Sequence, residues 1–80
     1  MNKETVREQI VAKIAEQFKK DPDAVRDEDH LAKEYGAKSH DLIRLSASIQ
    51  ATLGIKIGYA QARKVNTVSE WVDLAASLIK

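Results

Sequence analysis

The stretch Tyr35-Gly36-Ala37-Lys38-Ser39-His40-Asp41-Leu42-Ile43-Arg44-Leu45-Ser46-Ala47-Ser48-Ile49-Gln50-Ala51-Thr52-Leu53-Gly54 decides the fold. Leu42, Leu45, Ile49 and Leu53 recur at intervals of three and four, which places them on one face of a helix. The spacing predicts a helix from about Ser39 to Leu53. Ser39 suits its start, because a serine hydroxyl can accept from a backbone N–H that the first turn leaves free. Gly54 suits its end as a left-handed cap. Ser46 lies beside the apolar stripe, and its hydroxyl is expected to bond back to the preceding turn.

Working outward, Val6, Ile10, Ile14 and Phe18 repeat every fourth residue, with Val11 and Ala15 widening the stripe. This predicts a first helix over Lys3–Phe18. Lys19 to Asp29 is polar and contains the only proline, Pro22, so the helix stops before it. Val25 and Leu31 stand alone in this long connection and are expected to pin it onto the core. On the other side, Ile55-Lys56-Ile57-Gly58 alternates like a strand but is too short to support a sheet. It reads as extended loop, followed by a short helix around Tyr59–Lys64. Thr67, with Glu70 three residues on, reads as a capping box that opens a last helix. Val68, Val72, Ala75 and Ile79, with Leu78 alongside, form its stripe, and Trp71 beside them is expected to pack.

The expected fold is therefore all-α: a small four-helix bundle of three main helices plus a short third one, with a long first loop, in a single domain over residues 1–80. The stripes supply its core, together with Ile57 and Val65. Of the stripes, Phe18, Leu42, Leu45, Leu53 and Val72 count among the residues expected inside.

Composition narrows the function classes. Eighty residues with 44% apolar content suit one small globular core. The absence of cysteine excludes disulfides, thiolate metal sites and a cysteine nucleophile. Met1-Asn2-Lys3-Glu4 leads into a charged amphipathic segment and no run approaches membrane-spanning length, so a cytoplasmic, non-membrane location is expected. The net charge of +1 hides an uneven distribution. Residues 1–37 hold seven basic and nine acidic side chains, whereas residues 38–64 hold Lys38, Arg44, Lys56, Arg63 and Lys64 against Asp41 alone. The middle of the chain should present a basic surface.

The run Tyr35-Gly36-Ala37-Lys38-Ser39-His40 resembles the attachment site of acyl carrier proteins, where an apolar residue is followed by Gly, any residue, Asp, Ser and Leu. Helix order, the long first loop, Ile55-x-Ile57 and Val65-Asn66-Thr67-Val68 extend the resemblance over essentially the whole chain. The resemblance implies that Ser39 carries 4′-phosphopantetheine, added from coenzyme A by a phosphopantetheinyl transferase that uses magnesium. It implies that the arm's thiol holds an acyl group as a thioester and presents it to acyl-transferring or acyl-modifying enzymes, as in lipid or fatty acid biosynthesis. The chain would then be a monomeric carrier and not an enzyme. A serine at a helix N-terminus suits this, since free N–H groups and the helix dipole favour a phosphodiester there.

Two neighbours depart from the pattern. Ordinary members have Asp at the position of Lys38, where the carboxylate helps the transferase engage its metal, and an apolar residue at that of His40. Their acidic helix is replaced here by Arg44, Ser48, Gln50, Ala51 and Thr52. The expectation is a specialised carrier serving dedicated enzymes with acidic or apolar docking surfaces, met by Lys38, His40, Ile43, Arg44 and Ala47. An unmodified carrier-like interaction module remains open, favoured by Lys38 and His40. A small nucleic-acid-binding domain is the weaker rival, because only four aromatics (Phe18, Tyr35, Tyr59, Trp71) accompany the basic residues. Ser39-His40-Asp41 holds the side-chain types of a hydrolase triad, but consecutive helix positions point about 100° apart. His30 and His40, with Asp27, Glu28 and Asp29, lack metal-ligand spacing, so neither a catalytic nor a metal site is expected.

Overall fold

The apolar periodicities become five helices and one 3-10 turn in the computed structural model, which describes residues 2–79. The helices are α1 (Lys3–Phe18), α2 (Leu31–Tyr35), α3 (Ser39–Leu53), α4 (Tyr59–Lys64) and α5 (Val68–Leu78), with the 3-10 turn at Pro22–Ala24. The only extended pairing among the described residues is an isolated antiparallel bridge between His30 and Thr67. The architecture is all-α, as the sequence predicts, with one short helix more than expected.

Local chemistry sets the boundaries. Asn2 caps α1 by accepting from the Thr5 N–H at 2.8 Å. The helix ends at Lys19 in the left-handed region, φ 56°, and the N–H of Lys20 then bonds the Ala15 carbonyl at 2.9 Å. Pro22 opens the 3-10 turn instead of terminating α1 directly, and Asp21 caps that turn from the preceding position. At α5 the predicted capping box is present. The Glu70 N–H donates to Thr67 Oγ1 at 3.2 Å, and the Thr67 N–H donates to Glu70 Oε1 at 3.0 Å.

α1 packs against both α3 and α5, so its stripe faces two partners. That is why Val11 and Ala15 are buried beside Val6, Ile10 and Ile14. Leu45, Ile49, Ile57, Val68, Val72 and Ala75 are buried as expected, whereas Phe18, Leu42, Leu53 and Val65 are only half-buried. Those four sit at the ends of helices or in a connection, where fewer neighbours cover them. Ile79 lies just past α5 and is also half-buried. Trp71 is 0% exposed, and its indole N–H has no hydrogen-bond partner.

Val25 and Leu31 pin the long connection as the sequence suggests, at 4% and 1% exposure. The connection is also clasped to the start of α5 by backbone bonds. The Leu31 N–H donates to the Asn66 carbonyl at 2.9 Å, and the Val68 and Ser69 N–H groups donate to the carbonyls of Asp29 and Asp27 at 3.1 and 2.9 Å. Donors that a helix start leaves free are thereby met by main chain 40 residues or so away.

Candidate functional site

The unpredicted helix α2 is what delivers Ser39. His30 caps it, its Nδ1 accepting from the Lys33 N–H at 3.3 Å, so this histidine is occupied locally. The helix closes at Gly36 with φ +68°, a conformation that favours glycine. Ala37 then returns inward, buried, with its N–H on the Leu31 carbonyl at 3.1 Å. Only Gly36, Ala37 and Lys38 separate α2 from α3, so the path to Ser39 is short and anchored.

Tyr35 holds this turn from the other side. Its ring lies 5.7 Å from that of Phe18, the Lys20 ammonium sits 5.8 Å from its centroid, and its hydroxyl donates to Asp29 Oδ2 at 2.5 Å. The same Asp29 oxygen accepts from the Arg26 N–H at 3.0 Å. These donors, the Tyr35 hydroxyl first, hold the Asp29 carboxyl below its ordinary value. Burial, and then the negative oxygen it faces, push the Tyr35 hydroxyl well above the usual tyrosine range.

At the start of α3 the cap position falls to Lys38, and Ser39 is the first helical residue. This corrects the expectation that Ser39 caps the helix. A lysine side chain has no lone pair to offer when charged, so Lys38 caps nothing itself. Instead the Asp41 carboxylate accepts from the Lys38 N–H at 3.0 Å, and its other oxygen lies 3.4 Å from His40 Nε2. The Gln17 side-chain amide donates to the Asp41 carbonyl at 2.7 Å and ties this first turn to α1. Asp41, the one acid of the basic segment, is thus absorbed into the helix start.

Ser39 is exposed and opens onto a cleft of about 120 Å³ between α3 and α4, lined by Ser39, Leu42, Ile43, Tyr59, Ala62 and Arg63. Lys38, His40, Ile43, Arg44 and Ala47 are all exposed, and positions 40, 43, 44 and 47 share one helical face. Tyr59 and Arg63 are the members that the sequence reading did not single out. Their signal is the four-residue spacing at the start of a short helix, which puts the Arg63 guanidinium 5.7 Å from the Tyr59 ring centroid. Ser46 is buried at 6%, but its hydroxyl accepts from the Gln50 amide at 3.4 Å, one turn further on and not back. Gln50 Oε1 in turn accepts from the Ile57 N–H at 3.1 Å and fixes the loop before α4. Among the described residues, no three His, Asp or Glu side chains gather as metal ligands, and no helix is long and apolar enough to cross a membrane.

An arm bearing a phosphodiester fits what is present here. The serine is reachable, the first-turn N–H groups lack helical acceptors, Lys38 is beside it in sequence and Arg63 shares its cleft. Comparison with known proteins agrees. Residues 8–75 match the family described as "Phosphopantetheine attachment site". The chain is also 30% identical over 73 residues to a protein named "Acyl carrier protein" from Thermosynechococcus vestitus, covering 91% of this chain and 90% of that one.

Proposed function

The chain belongs to the acyl carrier protein family, and from that premise we propose that Ser39 is its attachment point and that it serves a dedicated pathway. It is a carrier and not a catalyst, and its prosthetic group is 4′-phosphopantetheine. Once attached, that group supplies the thiol on which an acyl chain is held as a thioester, which a chain without cysteine cannot supply itself. Loading would exchange the Ser39 O–H bond for an Oγ–P bond and break the pyrophosphate P–O bond of coenzyme A, whose 3′-phosphoadenosine 5′-phosphate half would leave, with the serine proton passing to the transferase.

The observation that supports Ser39 most is its placement: exposed, at the first position of a long helix, and on the rim of an apolar cleft. The N–H groups of that turn favour the negative charge of a phosphodiester, and the Lys38 ammonium adds a charge-assisted partner. Lys38, His40, Ile43, Arg44 and Ala47 then meet the enzymes that load and use the carrier. Their charge is opposite in sign to the acidic helix of ordinary carriers, so partners with acidic or apolar surfaces are expected, and generic partners with basic patches are steered away. We place this work in the cytoplasm, by a monomer, in lipid or fatty acid synthesis.

Intact mass measured after incubation with coenzyme A, magnesium and a broad-specificity phosphopantetheinyl transferase tests the reading. One added phosphopantetheinyl group, lost in Ser39→Ala, is the expected result. A folded protein that gains no mass would sink it and favour an unmodified interaction module. The double change Lys38→Asp, His40→Leu should speed loading by a standard transferase, because it returns a carboxylate and an apolar side chain to the two departing positions.

A further inference from the structure

We propose that Arg63 holds the phosphodiester of the loaded arm, reaching it from α4 across the cleft, so that loading ties α4 to α3. This rests on Ser39 being the attachment point, as proposed above, and adds a residue of another helix that grips what is attached.

Ser39 lines the cleft from α3 and Arg63 lines it from α4. A group joined to the Ser39 oxygen starts at this cleft, and its first part is the phosphate. At about 120 Å³ the cleft is well below the roughly 300–1,000 Å³ of pockets that enclose a small ligand. It has no room for an arm and its acyl group together, so it takes the portion next to the serine.

Arg63 has no other partner of opposite charge. It is exposed, and among the described residues the ion pairs join Lys3, Arg7, Lys13 and His40 to acids, but not Arg63. α4 itself holds no acid. Asp41, the one acid of residues 38–64, already accepts from the Lys38 N–H and lies 3.4 Å from His40 Nε2. What Arg63 does meet is the Tyr59 ring, whose centroid is 5.7 Å from its guanidinium carbon. Contact with a ring face steadies a guanidinium but consumes none of its in-plane N–H donors. The fork stays open for two phosphate oxygens at once, and a side chain already steadied loses less entropy on binding them. Lys38 is the competing cation, but an ammonium is a point charge on a flexible stem and makes no such paired contact. Arg63 therefore supplies the directed contact, and Lys38 adds to the field.

The unmutated chain, Arg63→Gln, Arg63→Lys and Lys38→Gln are each compared before and after loading, with intact mass showing that the group is attached. A chain synthesised with phosphoserine at position 39 gives a parallel comparison without a transferase. Loading should shift the Arg63 Nε–Hε signal in NMR spectra and raise the melting temperature by about 2–4 °C, the scale of one exposed charge pair in a domain of this size. Arg63→Gln should remove most of that rise and move the arm's phosphorus resonance, whereas Arg63→Lys keeps part of the rise and Lys38→Gln most of it. Salt at about 1 M, where the Debye length is about 3 Å, should reduce it. An undiminished rise with an unmoved phosphorus signal in Arg63→Gln would overturn the proposal, as would a rise lost in Lys38→Gln alone. Either result leaves Ser39 as the attachment point, whereas a folded chain that gains no mass removes the earlier reading and this one with it.

Discussion

At the scale of single residues, Tyr35 and Asp29 form the pair on which the turn before Ser39 depends. The Asp29 carboxyl is held low chiefly by the Tyr35 hydroxyl, and that of Glu70 by the N–H groups of Asn66 and Thr67. A carboxylate held low when folded adds stability that is present above its unfolded value, 3.8 for Asp29 and 4.5 for Glu70, and that is lost as pH falls through the folded value. The protein should therefore weaken below about pH 4. Tyr35→Phe removes the first of these donors and should cost about 1 kcal/mol at neutral pH. It also returns the Asp29 carboxyl toward 3.8, so the loss on acidification shrinks. Urea midpoints of the two proteins at pH 7 and pH 3 should thus converge as pH falls. A gap that widens toward acid would contradict the role given to Tyr35.

At the scale of elements, α2 matters most and was the least legible. A five-residue helix spans little more than one turn, so Leu31 leaves no apolar spacing to detect. What makes it a helix is tertiary: Leu31 buried below, His30 as cap and the bond from Leu31 to Asn66 behind it. By contrast α1, α3, α4 and α5 run where Val6 to Phe18, Leu42 to Leu53, Tyr59 to Lys64 and the Thr67–Glu70 box place them. The exposed face of α3 was legible from helical spacing alone. The spacing of Tyr59 and Arg63 was legible too, but not their place on the α3 cleft, because the approach of α4 to α3 depends on the loop that Gln50 fixes. Gly36 carries the exit from α2. A Cβ there would meet nothing within 4 Å, so Gly36→Ala tests backbone conformation without a clash. It should cost about 1–2 kcal/mol through its positive φ. Thermal melting should show that loss with the helical content unchanged. A neutral outcome would mean that α2 can end another way.

At the scale of the whole molecule, stability rests on few side chains. A chain of this size holds about 4–12 kcal/mol in total. Leu31→Ala, at a site 1% exposed beneath the clasp, should remove about 3 kcal/mol of it. Chemical denaturation checks the magnitude, and a loss under about 1 kcal/mol would show that the clasp holds without its apolar anchor. The clasp has a further consequence, which is kinetic. Its bonds join Asp27, Asp29 and Leu31 to Asn66, Val68 and Ser69, so they close a long loop and form only once most of the chain has gathered. Segments joined to the rest by a few main-chain bonds open at lower free energy than the packed core. The amides of Leu31, Val68 and Ser69 should exchange with solvent as one group, ahead of Ile10, Ile14 and Ile49. An opening of that kind would loosen α2 and the approach to Ser39 while α1 and α3 stay docked, so a transferase could meet a mobile serine on a folded protein.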